Sequence, residues 1–317
     1  AFKGIYRFPF AHYFYGQKNE LLEEKFVRFW SLRCSTSNEK FSSKCAREYA
    51  DKYYSLLYDS VKIRLRSDVP VGSALSGGLD SSSVVYIVNQ ILSSQEKKSL
   101  QQVFSSVYKD KKVNHCDESK FIDQVASFLN VKSHQIEPCV LDIPSEHEKM
   151  IKAMENPPES TCMSGWHVFK LVSSTSVKVT LDGQGADEQL AGYTNYYQTY
   201  LSSLPLRQFI GEAKSLFMNN VFNTKNVLSI LYSIYRSLLF QALSRCRLDV
   251  RARSLNTQLS RDLSSSLVTL LHYSDRVSMA HSIESRMPFM DYRLVEFLAS
   301  VPACYKIHDG WSKYLAR

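Results

Sequence analysis

The spacing of apolar residues divides the chain into one long helical stretch followed by alternating strands and helices. Between Glu39 and Arg66 an apolar side chain recurs about every four residues, which predicts a long amphipathic helix. A short, β-rich apolar run then predicts a strand at 69–75, and three further strands are predicted at 101–108, 131–137 and 177–181. Helical patterns cover 84–92, 117–130 and the region near 164–174. This alternation predicts an α/β fold, in which a parallel, twisted sheet is flanked by helices.

The two ends of the chain show different patterns. Residues 1–38 are rich in aromatic residues near their start, contain Gly and Pro, and end in a polar stretch, which predicts edge strands or an extended connector. We assign residues 39–317 to one domain, which is mostly helical and without a strand pattern from about residue 194 onward. The chain starts at Ala1 and stops at Arg317 inside a stretch predicted as helix, so we expect a fragment of a longer protein.

Composition and charge restrict the function classes without selecting one. Of the 317 residues, 44% are hydrophobic and 22% are charged, which is typical of a globular domain. No apolar run approaches the roughly 18 residues of a membrane-spanning helix, so we expect no membrane association. The net charge of +8 suits nucleic acid, polyphosphate or a lysine-rich surface equally. The seven cysteines form no Cys-x-x-Cys pair, which gives no support to a zinc ribbon and indicates a reducing cytoplasm.

The first candidate site is Ser76-Gly77-Gly78-Leu79-Asp80-Ser81-Ser82, between a predicted strand and a predicted helix. Its glycines allow a sharp turn that presents backbone N–H groups to one anion, and the start of the helix adds a positive dipole end. The serine hydroxyls add further donors. Asp80 would repel a phosphate unless a cation lay between them, and Mg²⁺ suits this position because it binds carboxylates together with phosphate oxygens. A Ser/Gly-rich turn without function is the alternative.

Two later segments contain further candidates. Leu181-Asp182-Gly183-Gln184-Gly185-Ala186-Asp187-Glu188, followed by Gly192-Tyr193, comes directly after a predicted strand and should emerge at the same sheet edge as the first loop. Asp187 is then placed to be a second carboxylate on the Mg²⁺, and a plain turn is the alternative. The third segment, 275–291, combines charged residues with a Pro turn, and its composition alone indicates an exposed face.

The first loop resembles the PP-loop of the ATP pyrophosphatases, which cut ATP between its α- and β-phosphates. The segments SGGLDSS, DGQGADEQLAGY and DRVSMAHSIESRMPFMD together resemble the synthetase domain of the glutamine-hydrolysing asparagine synthetases, over about residues 55–317. The resemblance implies an adenine nucleotide alpha hydrolase-like fold, with Mg²⁺ held by Asp80 and Asp187. The ATP-binding residues that it implies are Leu75, Ser76, Gly77, Gly78, Asp80, Ser81, Ser82, Ser106 and Gly185.

The resemblance also implies a reaction and two catalytic residues. ATP adenylates a small-molecule carboxylate with release of pyrophosphate, and ammonia then displaces AMP to give the amide. Glu284 is expected to accept a proton from the attacking nitrogen or to orient it, and Lys313 to stabilise charge on the phosphates and the oxyanion. An ion pair of Glu284 with Arg286 or Arg276, and a surface position for Lys313, are the alternatives. Glu118 matches an acidic position near the family's active-site loop, although a carboxylate at a helix start explains it more simply.

The resemblance extends to the start of the chain and bears on its partners. The stretch GIYRFPFAHYF is similar to the end of the family's glutaminase domain, so residues 1–38 are interpreted as a connector or remnant of an upstream glutaminase domain that this chain lacks. Glutamine and free ammonia both stay open as the nitrogen source. The oligomeric state stays open as well, and a homodimer is among the states considered.

Gln184 departs from the pattern, since asparagine synthetases usually have Glu there and β-lactam synthetases a catalytic Tyr. A neutral amide disfavours ring closure by that tyrosine route, and it removes a charge expected near the substrate amine. Aspartate, a related acid, and a sugar or peptide carboxylate therefore all stay open as the acceptor. A tRNA-modifying PP-loop enzyme is disfavoured because the cysteines are not paired, so we expect no nucleic-acid partner. A non-catalytic scaffold is disfavoured because Asp80, Asp187, Glu284 and Lys313 occur together.

Overall fold

The structure of the chain is a computed structural model that describes residues 3–6, 8–17, 26–35, 37, 39–96, 101–110, 113, 116–155, 162–219 and 254–317. Its strands are β1 His12–Tyr13, β2 Val27–Arg28, β3 Val71–Ala74, β4 Gln102–Ser106, β5 Lys132–Ile136, β6 Val179–Leu181, β7 Glu284–Arg286, β8 Ile307–His308 and β9 Trp311–Ser312. Its helices are α1 Ser43–Arg64, α2 Leu79–Ser94, α3 Ser119–Leu129, α4 Ile143–Met154, α5 Met163–Ser173, α6 Ala186–Leu190, α7 Thr194–Ser203, α8 Leu206–Met218, α9 Leu255–Leu263, α10 Ser266–Ala280 and α11 Tyr292–Ser300.

Five strands form one parallel sheet in the order β5-β4-β3-β6-β7. In its register, Ser73 of β3 lies between Val103 of β4 and Leu181 of β6, and Thr180 is paired with Ser285 of β7. The four predicted strands are β3 to β6. The predicted α/β fold, a parallel sheet flanked by helices with a mostly helical later part, is therefore confirmed. The stretch 220–253 of that later part lies outside the described residues.

The order of the strands reverses beside β3. From β3 the chain runs outward to β4 and β5 through the crossover helices α2 and α3, and it later returns to place β6 on the other side of β3. The loops that follow β3 and β6 therefore leave neighbouring strands at the point of reversal. Open α/β sheets bind their ligands at this point, outside the carboxyl ends of the strands.

Two predictions about the second half of the chain are wrong. Strand β7, at Glu284–Arg286, lies where no further strand was expected. Its Glu-Ser-Arg sequence contains no apolar run because, as a short edge strand, it is held by backbone pairing with β6 rather than by a buried face. The end of the chain is not helical as expected, since β8 and β9 pair antiparallel and a 3₁₀ turn follows at Tyr314–Ala316.

Helix α1 confirms the prediction from the four-residue spacing and supplies one wall of the core. Its stripe buries Tyr53, Leu57 and Val61. These side chains share an apolar cluster with Val84 and Val88 of α2 and with residues of α11. Helix α2 begins within the first candidate loop. Its packing against α1 therefore fixes the orientation of the helix N-terminus relative to that loop.

The first part of the chain contains two short strands, which form a sheet of their own, and it lies against α11. Strands β1 and β2 pair antiparallel. The indole Nε1 of Trp30 donates to Glu296 Oε1 at 2.6 Å, and the N–H of Ser35 donates to the carbonyl of Ala299 at 2.9 Å. The domain boundary between residues 38 and 39 stays a prediction.

Lys306 is a buried lysine in the later part of the fold. Its side chain is 1% exposed, and its Nζ donates to Asn256 Oδ1 at 2.9 Å. The Asn256 amide in turn donates to the carbonyls of Ser35 and Val301, each at 3.0 Å. Burial lowers the pKa of Lys306 to about 7, because a buried ammonium loses its hydration.

We expect the free energy of unfolding to rise with pH between about 7 and 10.5 on account of Lys306. In that range the unfolded chain still binds the proton that the folded chain has released, so stability rises with pH, by at most about 1.4 kcal/mol per pH unit. Urea unfolding across this range measures the slope, and Lys306→Met should flatten it whereas Lys52→Met, at an exposed position of α1, should not. An identical slope in the wild type and Lys306→Met contradicts the prediction.

Candidate active site at the carboxyl edge of the sheet

The first candidate loop turns sharply between β3 and α2. Gly77 has a φ of +80°, in the left-handed region that favours glycine. A Cβ at this position would also lie 3.0 Å from the Cβ of Phe121 and 3.3 Å from the carbonyl of Glu118. The loop therefore needs glycine for its backbone conformation and for its close contact with α3.

The serines of this loop divide into two groups. Ser76 and Ser81 are engaged with the loop itself, since their hydroxyls lie 3.0 Å apart and the N–H of Ser76 donates to Ser81 Oγ at 3.1 Å. The N–H of Gly78 donates to Ser76 Oγ at 3.3 Å. The hydroxyl of Ser82, in the first turn of α2, is buried and has no partner among the described residues. Among the described residues, Ser82 thus differs from Ser76 and Ser81 in having a hydroxyl that is not engaged with the loop.

The second loop packs directly on the first. A Cβ on Gly183 would lie 3.0 Å from the backbone nitrogen of Ser81, so the two loops are in backbone contact. Gly185 has a φ of +92°, and the side chain of Gln189 donates to its carbonyl at 2.8 Å. The same Gln189 amide nitrogen donates to the carbonyl of Phe289 at 2.7 Å. This amide joins the second segment of the sequence to the third.

The structure brings Asp80 and Asp187 together around one ammonium group. Lys313 Nζ pairs with Asp80 Oδ2 and lies 2.7 Å from Asp187 Oδ1. The three side chains come from α2, from α6 and from the turn after β9. Gly192 leaves the space for this arrangement, because a Cβ there would overlap Asp187 Oδ1 and Lys313 Cε and lie 2.7 Å from Asp187 Cγ. The alternative of an ordinary surface lysine does not describe Lys313, whose side chain is 13% exposed.

Burial shapes the charge of this group of three side chains. Burial raises the pKa of Asp80 above its ordinary value, although the neighbouring Lys313 ammonium lowers it. For Lys313 burial alone would lower the pKa, and the two carboxylates more than reverse this, so its pKa is raised. With both aspartates ionised, two negative charges face one positive charge, and the group keeps a net negative charge.

These residues fit a magnesium ion. Two carboxylates converge on one position, and Asp80 Oδ1 is buried without a partner among the described residues. Carboxylate oxygens together with phosphate oxygens are the ligands that Mg²⁺ prefers. Ser82 Oγ and the N-terminus of α2, which are the groups that would face a phosphate, belong to the same loop as Asp80.

The other predicted ATP-binding residues lie on the neighbouring strand ends. Ser106 is the last residue of β4, and its hydroxyl is buried without a partner among the described residues. Leu75 is 1% exposed, its N–H donates to the carbonyl of Phe104 at 2.9 Å, and its carbonyl accepts from Ser105 Oγ at 2.6 Å. The backbone of Leu75 is thus committed to the sheet, whereas Ser106 presents an unengaged group.

Glu284 is not brought to the carboxylate pair. As the first residue of β7 it is level in the sheet with Val179 of β6 and Val71 of β3. Ser76 lies five residues beyond Val71, roughly 16 Å farther along at about 3.3 Å per residue. The register therefore places Glu284 toward the amino ends of the strands, away from the two loops.

The contacts of Glu284 agree with this location. Its carboxylate pairs with Arg286 Nε at 2.8 Å, which is the alternative that the sequence offered, and this hydrogen bond lowers the pKa of Glu284. Arg286 also donates to the carbonyls of Arg64 and Arg66 at 2.7 Å, in the segment that precedes β3. Glu118 immediately precedes α3, and its carbonyl lies beside Gly77 at the first loop.

Three residues of the site were not assigned a role by sequence reasoning, although all three lie inside the second segment. Gly192 leaves room for the carboxylate pair. Glu188 is 1% exposed and accepts from the Tyr193 hydroxyl at 2.8 Å. Asp182 accepts from the Ser285 hydroxyl, and burial raises its pKa to about 6. A buried carboxylate cannot be told from an exposed one by its residue type, so no pattern in the sequence predicts these roles.

A parallel sheet with a Ser-Gly loop and paired carboxylates at its switch point is typical of the α/β proteins that bind nucleotides at this edge. Comparison with known proteins identifies the family. The model of the asparagine synthase family matches residues 52–317, and the chain belongs to this family, which confirms the resemblance. No helix in the described part of the chain is long and apolar enough to cross a membrane.

Three of the individual relatives share about the same sequence identity with this chain. The amidase chyE of Penicillium rubens is 27% identical over 365 aligned positions, which cover 96% of this chain and 53% of that protein. The glutamine-hydrolysing asparagine synthetases 2 and 3 of Bacillus subtilis are 26% and 25% identical. The alignments cover 93% and 100% of this chain, and 40% and 51% of those proteins. The chain thus spans about half the length of these curated relatives.

Proposed function

We propose that the chain is the ATP-dependent, amide-forming part of a carbon–nitrogen ligase. In this reaction a carboxylate oxygen attacks the α-phosphorus of ATP, and the bond to pyrophosphate breaks. Ammonia then forms a bond to the acyl carbon, loses a proton, and AMP leaves. The observation that carries the proposal is the convergence of Asp80 and Asp187 on Lys313 beside the PP-loop, in a member of the asparagine synthase family.

The unpartnered groups of the site support this assignment. Ser82 Oγ and Ser106 Oγ are buried donors at the ends of α2 and β4 that face no protein partner in the described chain. A phosphate near Ser82 gains the unpaired N–H groups of the α2 start and its positive dipole end. The Lys313 ammonium adds a positive charge. It stabilises the negative charge around the α-phosphorus in the transition state and the negative charge of the departing pyrophosphate.

Asp80 and Asp187 are the residues that would hold Mg²⁺ in this proposal. When bound there, Mg²⁺ would neutralise phosphate charge and so make pyrophosphate a better leaving group. Asp80 needs a cation near it in any case, because it is largely buried and one of its oxygens has no partner among the described residues. We propose no proton transfer by Glu284, since the sheet register keeps its carboxylate away from both loops.

The acceptor is a carboxylate, and Gln184 bears on which one. Gln184 is exposed at the second loop, between the two glycines. A neutral amide there cannot pair with the ammonium group of an amino-acid substrate as a glutamate does. One of the relatives, the amidase chyE of Penicillium rubens, is not named as an asparagine synthetase. Membership of the asparagine synthase family supports aspartate or a related acid as the acceptor class, and Gln184 makes sugar and peptide acids the second candidates.

The proposal is tested by incubating the chain with ATP, Mg²⁺, ammonium chloride and a panel of acids that includes aspartate. Ammonium replaces any upstream glutaminase domain as the nitrogen source. We expect AMP and pyrophosphate in equal amounts with at least one acid, and a matching amount of amide by mass spectrometry. Formation of ADP and phosphate, or no acid-dependent AMP with any member of the panel, contradicts the proposal.

A further inference from the structure

Lys313 is held in place by features that do not depend on a ligand. Its backbone N–H donates to the carbonyl of Leu190 at 3.1 Å, at the end of α6. It adopts a φ of +53°, which is uncommon for a residue with a side chain. From there its side chain runs past Gly192 to both aspartates. The conformation directs the ammonium into the space between the two carboxylates.

The position of this ammonium coincides with the one that a shared divalent cation needs. Asp80 Oδ2 and Asp187 Oδ1 both contact Lys313 Nζ, so a cation that bridges the same two oxygens competes with the ammonium for the same space. Two partly buried carboxylates this close together, with side chains 15% and 31% exposed, repel each other, and the Lys313 ammonium between them offsets this repulsion. A divalent ion supplies twice the charge of the ammonium.

We propose that Lys313 is a resident counter-ion of the Asp80–Asp187 pair, which a divalent metal ion displaces when it binds. The displaced ammonium is then free to pair with a polyphosphate at the neighbouring loop. Metal binding thus moves the Lys313 ammonium from the carboxylates toward the polyphosphate. This deepens the proposed function and rests on its metal-binding part. It makes Lys313 a positioning residue in the free protein, because it keeps both carboxylates oriented and lowers the affinity for a metal that arrives alone.

The test is Mn²⁺ binding to the chain without nucleotide, followed by electron paramagnetic resonance. We expect Lys313→Met to bind Mn²⁺ at least tenfold more tightly than the wild type, because the competing positive charge is gone. Lys170→Met is the matched control, since Lys170 pairs with Glu146 at 3.0 Å in another part of the molecule, and it should leave the affinity unchanged. Equal or weaker binding by Lys313→Met overturns the inference.

A second measurement uses the wild-type chain and so does not depend on how the variant folds. Lysine acetylation by acetic anhydride is followed by mass spectrometry with and without saturating Mn²⁺. Displacement from the carboxylates should raise the labelling rate of Lys313 severalfold while that of Lys170 stays constant, and an unchanged rate overturns the inference. If Mn²⁺ displaces Lys313 in a chain that makes no AMP, this inference is supported and the proposed reaction is contradicted. The two proposals can therefore fail independently of each other.

Discussion

Asp80→Asn is expected to lower the rate of pyrophosphate release by at least about 1,000-fold, or roughly 4 kcal/mol of transition-state stabilisation. The substitution keeps the shape of the side chain and removes the negative charge that pairs with Lys313 and would hold the metal. Folding should change little, because Lys313 keeps its partner Asp187 at 2.7 Å. A pyrophosphate assay and a thermal melt measure the two quantities on the same sample.

Asp51→Asn is the matched control for this variant. Asp51 lies at an exposed position on α1, so the same change of charge should leave turnover at the wild-type level. The assignment of the site fails if Asp80→Asn retains more than about a tenth of the wild-type rate while its melt is normal, since a metal ligand cannot be neutralised at so small a cost.

Gly192→Ala is expected to lower turnover by about 100-fold or more, since a 1 Å displacement at a catalytic centre can cost this much. The added Cβ would overlap Asp187 Oδ1 and Lys313 Cε, so at least one of these side chains must leave its position. The backbone of Gly192 is not in the left-handed region, so the effect comes from the displaced side chains and not from backbone strain. In Gly192→Ala, the steady-state turnover number and the affinity for Mn²⁺ should both differ from those of the wild type.

Gly165→Ala and Gly211→Ala are the controls for the glycine substitution. Both residues lie within helices, and a Cβ at either position meets no atom within 4 Å. They should keep full turnover and gain slight stability from the higher helix propensity of alanine. Normal turnover in Gly192→Ala would show that the space between Asp187 and Lys313 is not needed as described.

The main part of the fold was predictable because it is encoded in local patterns. Strands β3, β4 and β6 have mostly buried residues, and α1 carries its apolar stripe at a helical spacing. The meeting of Asp80 with Asp187 also follows from the sequence, because both residues come just after parallel strands, and the carboxyl ends of these strands share one edge.

The features that were missed depend on tertiary contacts. The letters Glu-Ser-Arg do not reveal β7, since its pairing with β6 is made by backbone groups. A motif names Glu284 but not the end of the strand at which it lies, and only the register with Val179 shows this. The space beside Gly192 likewise arises from side chains that are remote in sequence.

The long separation between Asp80 and Lys313, 233 positions, has a consequence for synthesis of the protein. At about 5–20 residues per second, a ribosome makes Lys313 on the order of ten seconds after Asp187. During this interval the nascent chain contains both aspartates but not the lysine that neutralises them. We expect their mutual repulsion to keep the second loop undocked until β8, β9 and Lys313 have been made, so that this segment closes the site.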